Sequence, residues 1–60
     1  MKALYKGHAI YIESGDEHFG FEIIKDAKYI AVSVYRFDTS EEALRAAKRV
    51  IDEKGATNGH

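Results

Sequence analysis

The hydrophobic period of this chain changes once, at Asp38-Thr39. Before it, apolar residues alternate with a period of two; after it, they recur with the period of a helix. From Leu4 to Glu13 one phase holds Leu4, His8, Ile10 and Ile12, and the other holds Tyr5, Ala9, Tyr11 and Glu13. That pattern predicts a first strand. Ser14-Gly15-Asp16-Glu17 supplies turn-tolerant residues, and alternation resumes over Phe19 to Lys25 with Phe19, Phe21 and Ile23 in phase. Asp26-Ala27-Lys28 interrupts it, and Tyr29 to Phe37, rich in β-branched and aromatic residues, predicts a third strand with Ile30, Val32 and Val34 on one face.

Thr39 followed by Glu42 has the spacing of a capping box, so a helix is expected from about Ser40. Ala43, Leu44, Ala46, Ala47, Val50 and Ile51 fall on one stripe of that helix, which is expected to stop at Gly55 and leave 56–60 as a flexible tail. The expected fold class is therefore α+β: a three-stranded antiparallel meander with one C-terminal helix packed on one face, β-β-β-α, as a single domain over residues 1–55. The expected core joins Leu44 and Ile51 to Ile10, Ile12, Phe21, Ile23, Val32 and Val34.

A chain of 60 residues buries only about 60% of the surface that its unfolded form exposes, which makes stability marginal. It has no cysteine and no metal-ligand spacing, so neither a disulfide nor a structural metal is expected to staple it. Self-association, as a homodimer, is the remaining device. Absent cysteine, together with an N-terminus lacking the apolar run of a secretory signal and no membrane-spanning stretch, gives a cytoplasmic expectation with no membrane partner.

One helix covers one side of a sheet, so the composition of the other side decides the functional reading. The phases place Tyr5, Tyr11, Glu22, Ile24, Tyr29, Tyr35 and Phe37 there, with all four tyrosines among them and no Lys or Arg. Tyrosine is enriched at protein interfaces because its rigid ring is buried while its hydroxyl finds a partner. The third strand carries no charge from Tyr29 to Tyr35, which also leaves its edge open to pairing with another chain. The expected function is a non-catalytic interaction domain that contacts itself or another protein by that face or that edge. A nucleic-acid-binding domain is the alternative, with Lys6, Lys25, Lys28 and Arg36 as candidate contacts and Tyr11 or Tyr35 as stacking surfaces. Nine Lys plus Arg against ten Asp plus Glu, net charge −1, provide no general field towards phosphate.

Candidate chemistry reads as structure. His8 falls on the core phase at the sheet rim, and Asp16, Glu17 and His18 sit on a hairpin loop that offers poor convergence for a metal. Glu41 with Arg45, Lys48 with Asp52 and Arg49 with Glu53 are spaced as pairs on a solvated helix face. No phosphate loop, nucleophile elbow or cysteine-histidine pair occurs, so no cofactor and no enzymatic activity are expected.

Tyr35-Arg36-Phe37-Asp38-Thr39-Ser40-Glu41-Glu42-Ala43, continued by Ala46-Ala47, resembles the end of the plant ethylene-response-factor DNA-binding domain, to which the arm-binding domains of tyrosine recombinases are related. The resemblance covers about the last third of the chain. It implies three strands followed by a helix, with DNA read through the uncovered sheet face. That family contacts DNA with sheet arginines and tryptophans; the matching positions here are tyrosines, glutamates and small residues, so no DNA-contacting residue carries over. Gly15-Asp16 and Glu41-Glu42-Ala43 also resemble HicB-type antitoxins, in which strands after a Gly-Asp turn precede a helix; the Pro-Asp and Pro-Gly elements between them are missing.

Overall fold

In a computed structural model, which describes the backbone of residues 1–58 and side chains through Lys54, the chain is α+β: a four-stranded antiparallel sheet followed by one helix. The strands are β1 (Lys2–Tyr5), β2 (His8–Ser14), β3 (Phe19–Lys25) and β4 (Lys28–Val32), in the order β1-β2-β3-β4. The helix α1 spans Ser40–Asn58.

The expected first strand is two strands. Lys6 and Gly7 both have positive φ, 49° and 78°, the geometry of a tight hairpin turn, and Tyr5 pairs with His8 across it. A two-residue turn reverses the chain and resets the alternation. Ala3 and Tyr5 therefore share the side of His8 and Ile10, while Lys2 and Leu4 share the side of Tyr11 and Ala9. Asp26 and Ala27, with φ of 54° and 64°, make the same kind of turn between Lys25 and Lys28.

The third predicted strand also departs from a single alternation. Ile23 pairs with Ala31 but Ile24 with Tyr29, so Ile30 is the extra residue of a β-bulge. Ile30 and Ala31 both pack on the core, whereas Val32, opposite Glu22, turns outward and is 62% exposed. Val34 is 72% exposed. The bulge thus removes Val32 and Val34 from the expected core. Beyond Val32 the Ser33 N–H donates to the Phe21 carbonyl, and the Ser33 hydroxyl takes the Phe21 N–H in place of a backbone carbonyl. The chain then arcs outward and rejoins the ladder at Phe37, which pairs with Phe19 and brings its ring 6.0 Å from that of Phe21.

The Thr39 hydroxyl accepts the Glu42 N–H at 3.1 Å and faces the Glu42 carboxylate at 3.4 Å, which caps α1. The helix lies across β2 and β3. Ala43, Ala47 and Ile51, one turn apart, meet Ile10, Ile12, Phe21 and Ile23 to form the buried core; Leu44 is only partly buried against it. The alanines let helix and sheet approach closely. Full burial of Ile10 and Ile23 contributes about 1.5–3 kcal/mol each. The helix continues through Gly55 to Asn58, past the expected stop, because glycine inside a helix costs about 1 kcal/mol and does not by itself end it. Of the expected 56–60 tail, Gly59 and His60 lie outside the described residues.

Candidate interaction face

The sheet side turned away from α1 is organised in rows by the strand register. One row is Leu4, Ala9, Ile24 and Tyr29; the next is Lys2, Tyr11, Glu22 and Val32; a third begins with Glu13 opposite Gly20. Gly20 has no side chain, and the Tyr35 ring occupies the space above it, donating its hydroxyl to Glu13 Oε1 at 3.1 Å. That hydrogen bond to the carboxylate, aided by its charge, raises the Tyr35 pKa above the usual phenol value. Lys2 brings its ammonium 5.6 Å from the centre of the Tyr11 ring.

Of the residues expected on this face, Tyr11, Glu22, Ile24, Tyr29 and Tyr35 are there. Tyr5 and Phe37 are not. The Lys6-Gly7 turn flips Tyr5 beneath the helix, where its hydroxyl donates to Asp52 at 3.0 Å. Phe37 packs against the core on the Phe21 side. The expectation that the face lacks cations is also corrected, since the extra strand contributes Lys2, and with it Leu4, which is 77% exposed. The signal for both was Gly7, a residue suited to positive φ in the middle of an alternating run.

Of the four alternative cations, Lys6, Lys25 and Lys28 lie at the end of the sheet that carries both two-residue turns. Lys6 is tied to Asp52 at 2.6 Å, and Arg36 lies over the Phe37 ring at 4.9 Å. Lys25 and Lys28 flank the exposed Asp26-Ala27 turn. Asp52 is held below the usual carboxylate range chiefly by its hydrogen bond to Lys6, then by that from Tyr5, and the Lys6 pKa is raised by the same contact. Lys48 extends over the Tyr5 ring at 5.2 Å, so this side of the helix is latched to β1 by contacts across the fold.

His8 is half-buried at the rim and its Nδ1 lies 2.8 Å from the Lys6 carbonyl, which can only accept, so Nδ1 carries the hydrogen. The β2–β3 loop forms a shallow hollow of about 380 Å³ lined by Gly15, Asp16, Glu17, His18 and Tyr35. His18 Nε2 faces Asp38 at 3.8 Å there. Among the described residues no group of three or more His, Cys, Asp or Glu converges as a metal site, and no helix is long and apolar enough to cross a membrane.

No protein-family model, curated protein or solved structure matches the chain.

Proposed function

We propose that this chain is a non-catalytic interaction domain that self-associates through the open face of its sheet. The observation that carries this is the placement of exposed apolar side chains: Leu4, Tyr29, Val32 and Tyr35 all lie on the side opposite α1. Burying such surface against a second copy adds the apolar contact that a chain of this length lacks.

Face and edge are not equivalent routes. The β4 edge is five residues long and bulged at Ile30, and short bulged edges resist pairing with another chain. The face has no such protection. The nucleic-acid alternative rests on the Lys2–Tyr11 contact as a stacking platform and on Lys25 and Lys28 at the turn. A cytoplasmic setting, read from the cysteine-free sequence, suits either reading.

Sedimentation equilibrium tests the proposal. The wild-type chain is expected to exceed monomer mass as concentration rises, and Ile24→Lys with Val32→Lys to remain a folded monomer. Wild-type chain at monomer mass up to millimolar concentration, or unchanged association in the double variant, overturns it. Binding of oligonucleotides that weakens steeply with salt would favour the alternative.

A further inference from the structure

Resting on the reading that the open face meets a second copy, we propose that the two copies are related by a two-fold axis parallel to the strands and running between β2 and β3, which sets Tyr11 of each against Glu22 of the other. A closed dimer uses one patch on both subunits, so the patch must complement itself under the operator. Stacked sheets keep their strands roughly aligned, within about 30°. An axis along the strands then exchanges β2 with β3 and β1 with β4 while keeping each row opposite itself.

The register shows what this operator brings together. In the middle row Tyr11 pairs with Glu22 across β2 and β3, so exchange puts a phenol donor of one copy on a carboxylate acceptor of the other, twice. Both side chains are half-buried, and neither makes a hydrogen bond to another described residue. Lys2 already lies over the Tyr11 ring, so its ammonium stands beside the incoming carboxylate and offsets its charge. In the neighbouring row small Ala9 faces large Ile24, and Leu4 faces Tyr29. An axis in the interface running along the middle row, at right angles to the strands, would instead keep β3 over β3 and bring Glu22 against its own copy, with like charges in a drying interface.

The test mixes two variants substituted at half-buried positions of the open face, outside the core beneath α1. Tyr11→Glu alone places carboxylate against carboxylate at both contacts, and the self-association constant is expected to fall by more than about tenfold. Mixed with a Glu22→Lys chain it is expected to recover as a dimer containing one chain of each kind, seen by native mass spectrometry. Tyr11→Phe, which keeps the ring and removes the donor, is expected to weaken association by about tenfold. If the wild-type chain never associates, the self-association reading itself fails. If it associates but the mixture forms no mixed dimer and Tyr11→Phe binds like wild type, the two-fold arrangement alone is overturned.

Discussion

The ring of Tyr35 rests on the bare backbone of Gly20, so closely that a β-carbon at Gly20 would stand 2.5 Å from Tyr35 Cδ1. The backbone oxygen of Val34 lies 3.2 Å from the same point. Gly20→Ala must push the ring off the face and is expected to cost about 1–2 kcal/mol, as overpacking does. Thermal unfolding should show that cost shrinking in a Tyr35→Ala background, because the shared contact is already gone. Equal costs in both backgrounds would mean that the ring does not lie there.

Ile23→Ala is expected to cost about 2–5 kcal/mol, enough to unfold so small a domain, whereas Val32→Ala is expected to change stability by under about 0.5 kcal/mol. The contrast follows from one residue, since Ile23 is fully buried and Val32 is turned outward by the bulge at Ile30. Urea denaturation of the two variants measures it.

That pair also marks how far the sequence could be read. Alternation identified Ile10, Ile12, Phe21 and Ile23 as core, and Thr39 with Glu42 located the start of α1 within a residue. Alternation carries no mark of a two-residue turn when an apolar residue before it, here Leu4, falls in the sequence phase of core residues after it although the turn sets it on the other face. Lys6-Gly7 was absorbed into one long strand for that reason, and Tyr5 was assigned to the wrong face. The bulge is a second break of this kind, and it exchanged Val32 for Ala31 in the core. Phe37 was misplaced because Ser33 substitutes a side-chain oxygen in the ladder and lets the chain arc before it returns. Of the open face, the central part carried by Tyr11, Glu22, Ile24, Tyr29 and Tyr35 was legible; its β1 margin, Lys2 and Leu4, was hidden with the first turn.

Ala27 sits at a φ of 64°, a conformation that costs an L-residue about 1–2 kcal/mol. Ala27→Gly relieves that strain at the expense of a more flexible unfolded chain, so a net gain of about 0.5–1 kcal/mol is expected. A lower melting temperature for the variant would contradict the turn geometry.

The Asp52 latch gives stability a pH dependence of defined sign. Because its folded pKa is depressed, the Asp52 contribution is present above its unfolded value and is lost as pH falls through the folded one. The Lys6 and Tyr35 pKa values are raised, so their contributions are lost as pH rises through their folded values. The stabilities of wild type and Asp52→Asn, measured by denaturation across acid pH, are expected to differ near neutrality and converge as Asp52 is protonated.

The face on which copies of this chain meet can be mapped directly by recording backbone amide shifts from low micromolar to millimolar concentration. The predicted result is concentration-dependent movement at Leu4, Tyr11, Glu22, Ile24 and Val32, with Ala43, Ala47 and Lys48 of α1 unmoved. Shifts confined to the helix, or none anywhere in the chain, would contradict the open sheet face as the working surface.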